Sequence, residues 1–212
     1  MFMQHFLIFI FMFFTIGLVG CQATPSTDSS SSYKDFLSAS AKKQKSVEER
    51  AQELFVSGNE AIKKKHFQEA EQLFLTLNQE YPEYSGSLVN LGIIYSEQKQ
   101  WQKAEDMFLR AAGINSENVL AYNQLGYVYR NMGRLEEAEK SYKKAIRMWP
   151  DYPAAWLNLG ILYELYLNKL DESLKAYEKF QSISDTPDET VALWIDDLKA
   201  RLEKNKLVNS NE

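Results

Sequence analysis

Apolar residues follow three regimes along this chain. Residues 6–20 form an almost unbroken apolar run, FLIFIFMFFTIGLVG. Residues 22–44 are rich in Ser and Lys, and include ATPSTDSSSS. From Val47 onward, large apolar side chains return every three to four residues, the period of one helix face. The pattern predicts a succession of amphipathic helices and an all-α fold.

The helical region is also periodic on a longer scale. Gly58, Gly92, Gly126 and Gly160 lie 34 residues apart. Four residues before each glycine stand Leu54, Leu88, Tyr122 and Trp156, and one before it Ser57, Leu91, Leu125 and Leu159. Three after it come Ala61, Tyr95, Tyr129 and Tyr163. Twelve after the first three glycines come Ala70, Ala104 and Ala138, followed four residues later by Phe74, Phe108 and Tyr142. Pro82, Ser116 and Pro150 close these units. In the fourth unit Ser173, Tyr177 and Phe180 stand one position late, so one residue is inserted between its helices. The stretch LYELYLNKL, residues 162–170, either extends the first helix or lengthens its turn.

A 34-residue period with these residues at these offsets resembles the tetratricopeptide repeat. The resemblance implies a right-handed solenoid of four helix-turn-helix repeats over residues 47–184, with units near 51–84, 85–118, 119–152 and 153–184. One repeat cannot bury its apolar face alone, and stacking makes the core continuous. The small residue at each glycine is expected to face the alanine of the second helix and bring the two backbones together. Ser46 and Glu49 read as a capping box that starts the array near Val47. Thr186 and Glu189 read as another, with Pro187 at the first helical position. They open a capping helix over 185–205, whose apolar face is Val191, Trp194, Ile195, Leu198 and Leu202. Residues 206–212 are expected to be a disordered tail.

The leading run is short for a bilayer span, which needs roughly 20 apolar residues. Ending in small residues, it reads as a secretory signal over 1–20. Leu18-Val19-Gly20-Cys21 resembles the bacterial lipobox, and Cys21 is the single cysteine. That resemblance implies diacylglycerol on the Cys21 thiol, cleavage before it and acylation (palmitate) of the new amine. The first five residues carry no Lys or Arg, unlike the usual basic start of a signal peptide. Gln22, where Asp commonly retains such lipoproteins in the inner membrane, implies the outer membrane, facing the periplasm. Residues 21–46 read as a lipidated flexible tether, because Ser-rich sequence buries too little apolar surface to offset its ordering entropy.

Removing the signal alters the composition. Six of the twelve Phe lie in residues 1–20, and none of the charged residues do, so the net charge of -5 belongs to the remainder. A mildly acidic chain lacks the basic footprint of a nucleic-acid binder. One cysteine forms no intrachain disulfide. His66, in a turn, is the only histidine after the signal. No catalytic constellation, metal-ligand set, phosphate-binding glycine loop or cofactor motif is present, so neither an enzyme nor a small-molecule substrate is expected.

The working surface implied by the resemblance is the concave groove of the first helices. It is expected to comprise Phe55, Asn59 and Ile62, then Val89, Ile93 and Ser96, then Leu120, Asn123, Tyr127 and Arg130. The fourth repeat adds Ala154, Leu157, Ile161 and Glu164. Apolar and amide side chains with few charges suit an extended or helical peptide, although Ile93 and Ile161 equally suit packing on a neighbouring helix. Asn59 and Asn90 match the amides of the chaperone-tail clamp. Phe55, Leu120 and Gln124 replace its cations, so that clamp is not expected. Trp149 either covers the junction of repeats three and four or is an exposed binding aromatic.

Anchor and repeats together resemble the tetratricopeptide lipoproteins that act as pilotins for type IV pilus secretins. They resemble equally the adaptor lipoproteins that recruit peptidoglycan hydrolases and proteases. The expected function is a membrane-anchored scaffold that binds an envelope protein and assists its assembly or localisation. A self-associating structural protein is the other reading.

Overall fold

The computed structural model describes residues 29–209. The signal over 1–20 and Cys21 lie outside the described residues. Among those described, nine helices account for the regular structure. They are α1 (Ser29–Lys63), α2 (Phe67–Glu80), α3 (Ser85–Glu97), α4 (Trp101–Ile114), α5 (Val119–Asn131), α6 (Leu135–Met148), α7 (Pro153–Leu165), α8 (Leu170–Ile183) and α9 (Glu189–Asn209). The chain falls into two units, residues 1–45 and 46–212.

Four pairs and a closing helix make an all-α tetratricopeptide solenoid. The first helices of repeats two, three and four begin at Ser85, Val119 and Pro153, the boundaries expected from the repeat period. Within each pair the turn is made by one residue at positive φ: Lys65 at 60°, Lys99 at 57°, Gly133 at 76° and Asn168 at 50°. The amides of His66, Gln100 and Arg134 then bond back to the carbonyls of Ala61, Tyr95 and Tyr129 at 2.8–2.9 Å. The inserted residue of repeat four is absorbed here. α7 has the same 13 residues as α3 and α5, and the returning amide is Lys169, bonded to Tyr163. The turn is lengthened and the helix is not.

The core runs the length of the array. Phe74, Phe108, Tyr142 and Tyr177 are each at most 1% exposed, and burying a side chain of that size contributes on the order of 1.5–3 kcal/mol. The glycines face these rings. A Cβ on Gly58 or Gly92 would lie 2.6 Å from Phe74 or Phe108, and on Gly126 or Gly160 2.4 Å from Tyr142 or Tyr177. The missing side chain makes room above all for the aromatic ring four residues after the small residue of the second helix, while in repeat four that small residue itself meets the glycine, Ser173 donating to the Gly160 carbonyl at 3.0 Å. An aromatic ring laid on a helix backbone needs more clearance than an alanine methyl.

Three further expectations change. Residues 29–46 of the expected tether belong to α1, which passes through Ser46 without starting there. Ala39, Ala41, Lys42, Lys43, Gln44 and Lys45 are good helix formers with no Gly or Pro among them. α9 begins at Glu189, capped by Asp188, whose carboxylate accepts from the Val191 amide at 3.0 Å. Asp188, adjoining the first helical residue, supplies the cap that Thr186 was expected to make. The far end of α9 reaches Asn209, into the expected tail.

Candidate functional site

The first helices of successive repeats touch, α3 with α5 and α5 with α7. Among the described residues no such contact joins successive second helices. The array therefore curves with its first helices inside, and they line the concave face.

The residues expected on that face differ in their burial. Val89 is 3% exposed and Ser96 7%, with the Ser96 hydroxyl donating to the Gly92 carbonyl at 2.8 Å. Phe55, Ile62 and Ile93 are partly buried against the core, Phe55 edge-on to Phe74 with centroids 6.0 Å apart. Leu157 and Ile161 pack against the cluster that Tyr177 of α8 forms with Val191, Ile195 and Leu198 of α9. Ala154 and Asn59 are half-buried and Leu120 is exposed.

The third repeat holds the polar part of the groove. Asn123 is buried and accepts from the Asn158 amide at 3.1 Å, which fixes its orientation between α5 and α7. Tyr127 meets Trp101 edge-on at 6.1 Å. The Arg130 guanidinium lies 5.4 Å from the centre of the Tyr127 ring and 5.8 Å from that of Tyr166. Its Nε and Nη1 are buried and, among the described residues, have no hydrogen-bond partner; the same holds for the Tyr142 hydroxyl. Burial pushes the Tyr142 phenol well up from its ordinary value, and the nearby Arg130 charge opposes that rise. In the fourth repeat Glu164 accepts from Arg201 at 2.8 Å and from the Tyr177 hydroxyl at 3.1 Å. Burial, then the Glu164 charge, push Tyr177 up as well.

A polar ladder that the sequence reading passed over runs between successive repeats. Glu71, Glu105 and Glu139 recur 34 residues apart, as do Tyr95, Tyr129 and Tyr163. The Tyr95 hydroxyl donates to Glu71 at 2.7 Å and the Tyr163 hydroxyl to Glu139 at 3.0 Å. Burial and the Glu71 bond push Tyr95 up to about 12. Glu105, with only 8% of its side chain exposed, takes both oxygens to Arg134 Nη1 at 2.8 and 2.9 Å. Glu136 is exposed, whereas Glu137 is engaged by Arg134. The signal was available, since these carboxylates share the repeat period. A solvated helix face needs no such period.

A cleft of about 380 Å³ lies between α6, α7 and α8. Ile146, Trp156, Leu159 and Ala176 form its apolar wall, and Lys143, Arg147 and Lys175 stand with Glu172 around it. Trp149 is 53% exposed and stacks on Tyr152 at 5.3 Å, beside the junction of repeats three and four. His66 is exposed and faces Glu69 at 3.4 Å. Among the described residues no group of His, Cys, Asp and Glu is placed to hold a metal, and no helix is long and apolar enough to cross a membrane.

Comparison with known proteins agrees with this architecture. Three family descriptions match: "TPR repeat" over residues 126–166, and "Tetratricopeptide repeat" over 87–118 and again over 153–187. No curated protein matches the chain. Among solved structures it is similar to pilF of Pseudomonas aeruginosa, with TM-score 0.68 and 18% identity, covering 75% of this chain and 72% of that one. It is similar to a thermophilic TPR protein of Thermus thermophilus, with TM-score 0.62 and 22% identity, covering 71% and 81%. It is also similar to the MamA protein, with TM-score 0.54 and 22% identity, covering 64% and 73%. At these identities the likeness is one of fold.

Proposed function

Because the chain is a tetratricopeptide-repeat protein, a scaffold for protein interaction, we propose that it works as a membrane-anchored adaptor of the bacterial envelope. Lipid on Cys21 holds it to the outer membrane, facing the periplasm. The concave groove binds a segment of another envelope protein and assists that protein's assembly or localisation, as a pilotin does for a type IV pilus secretin. The observation that carries this reading is the pairing of the Leu18–Cys21 motif with an array whose inner face combines Leu120, Asn123, Tyr127 and Arg130. An exposed leucine, an oriented amide and a cation between two rings suit a peptide held by side-chain pockets. The pilF likeness supports the scaffold, and the secretin as partner rests on the motif and repeats together.

The test is cross-linking in intact envelopes, comparing the wild type with Cys21→Ser, with mass spectrometry of both the partners and the N-terminus. A lipidated Cys21 and one dominant envelope partner, lost or displaced in the variant, is the expected result. A secretin would establish the pilotin role, and a hydrolase or protease would establish recruitment instead. An unmodified cysteine, or the same partners from the variant, would overturn the anchor.

A further inference from the structure

The cleft between α6, α7 and α8 uses a face of α7 that the groove does not. Trp156, Leu159 and Tyr163 line it, at spacings of three and four residues. Leu157, Ile161 and Glu164 fall on the opposite face of the same helix. Among the described residues α6 and α8 make no contact with each other, so α7 forms the floor between them.

The preceding junction covers the equivalent ring from within the chain. Tyr122 stands 34 residues before Trp156. The Lys144 ammonium lies 3.9 Å from the centre of the Tyr122 ring and donates to its hydroxyl at 2.7 Å. Lys179 is the counterpart of Lys144, one position late as Ser173 and Tyr177 are. Its ammonium is drawn instead to Asp151, at 3.0 Å. The Trp156 indole Nε1 donates to the Pro150 carbonyl at 2.7 Å, which fixes the ring in the cleft wall. Ile146, Leu159 and Ala176 complete that wall.

The charges at the opening are also particular to this junction. Lys143 and Arg147 stand where the repeat before has Leu109 and Gly113. Lys143 is bound to Glu139 at 2.6 Å. Arg147 and Lys175 are exposed and form no ion pair among the described residues. Glu172 is the single acid among the lining residues. An apolar slot beside two uncommitted cations runs against the net charge of -5. Its volume of about 380 Å³ is that of a ligand pocket.

We infer that this cleft docks an acidic segment of a partner protein. The segment seats one large apolar side chain against Trp156, Ile146 and Leu159, and turns carboxylates toward Arg147 and Lys175. This is a second binding surface, and it does not rest on the reading of the concave groove. The apolar anchor supplies affinity, and the carboxylates supply register and salt dependence. A flat anionic membrane fits less well. Glu136, Asp171, Glu172 and Glu178 are exposed among the cations of α6 and α8 and would meet such a surface too. A narrow segment places its carboxylates between them.

The test uses the full chain and peptides of stated sequence, read through the indole Nε1–H resonance of Trp156. Trp156→Phe identifies that resonance among the four tryptophans. N-acetyl-Glu-Glu-Phe-Glu-Glu amide is expected to move it saturably, with an affinity that falls as salt is added. Replacing the Phe of the probe by Ala is expected to weaken binding by about 10- to 100-fold. Replacing its Glu residues by Gln is expected to weaken it by about 3- to 20-fold. Arg147 and Lys175 hold nothing in the fold, so Arg147→Gln combined with Lys175→Gln leaves the array intact. That double variant is expected to weaken the acidic peptide by about 3- to 20-fold and to leave the Gln peptide unchanged.

No saturable shift, equal binding of the acidic and Gln peptides, or equal binding to wild type and double variant would each overturn the inference. So would an acidic peptide that moves the side-chain amide of Asn123 and leaves Trp156 still, which keeps the concave groove as the binding surface. Phosphatidylglycerol vesicles that move Trp156 where the acidic peptide does not would assign the cleft to a membrane surface and overturn the partner segment.

Discussion

Gly126 lies against the ring of Tyr142, and a Cβ on Gly126 would come within 2.4 Å of the ring carbon Cε1. The close approach of α5 to α6 depends on that missing methyl. Gly126→Ala gains helix propensity of about 1 kcal/mol, but overpacking a buried ring costs about 1–3 kcal/mol. The net expectation is destabilisation, read as a lower urea midpoint. Gly113, near the end of α4, is the control, with nothing within 4 Å of its would-be Cβ. Gly113→Ala is expected to stabilise by about 0.5–1 kcal/mol. Equal effects at the two sites would refute the packing argument.

The intra-repeat turns offer a second comparison. Lys65 and Lys99 adopt the positive φ that Gly133 adopts at the same register position. An L side chain pays about 1–2 kcal/mol there, and glycine loses part of that advantage through its freer unfolded chain. Lys99→Gly is expected to raise stability by about 0.5–1 kcal/mol, and Gly133→Lys to lower it. Thermal melts of the two variants decide the point, and opposite signs are the required outcome.

The Glu139 ladder makes stability pH-dependent. Burial would raise this carboxyl. Hydrogen bonds from Lys143, Tyr163 and Lys169 outweigh it and hold the group below its ordinary value of 4.5. A carboxyl depressed on folding contributes stability above its unfolded value, and that contribution is lost as pH falls through the folded one. Glu139→Gln is therefore expected to cost stability at neutral pH. The gap from wild type should close progressively below pH 4.5. Urea titrations at several pH values measure the gap, and one independent of pH would show that the ladder contributes packing alone.

The closing helix is held through its apolar face. Leu198 is 0% exposed, between Val191, Ile195 and Tyr177. Leu198→Ala is expected to cost about 2–5 kcal/mol. The loss should be local, since each unit of a solenoid contacts only its neighbours. Hydrogen exchange should accelerate in α8 and α9 while α3 and α4 keep their protection. A uniform loss would show that the array unfolds as one unit.

Much of the fold was legible because local and global signals agree in a repeat. Ser85, Val119 and Pro153 begin helices where the 34-residue period sets them, and Val191, Ile195 and Leu198 are the buried part of the α9 face that its spacing implied, whereas Trp194 on that face is 38% exposed. The cap at Asp188 was misplaced by two residues, because Thr186 and Asp188 both offer an oxygen and only the backbone path chooses between them. The tether was over-extended because its serines obscured the helix formers that follow.

The groove was legible only as a register. Position within a repeat told which residues lie on the first helices, and so brought Leu120, Asn123, Tyr127 and Arg130 together. It did not tell that Leu157 and Ile161 would pack against the cluster joining α8 to α9, or that Val89 would sink into the core. The partners of a charge were equally hidden. Glu139 and Glu164 both meet tyrosines, one on the next repeat and one on its own.

The sequence by itself determined the periodic helix pairs, the residues that turn the chain and the positions that share a face. Each of these depends on neighbours within a few residues or on the constant 34-residue spacing. The tertiary structure alone decided which polar atoms find partners. Arg130 and Glu164 hold equivalent positions, yet Glu164 is completed by Arg201 from 37 residues away while the Nε and Nη1 of Arg130 find no hydrogen-bond partner among the described residues. Hydrogen bonds reach only about 3 Å, so pairing depends on how distant helices dock.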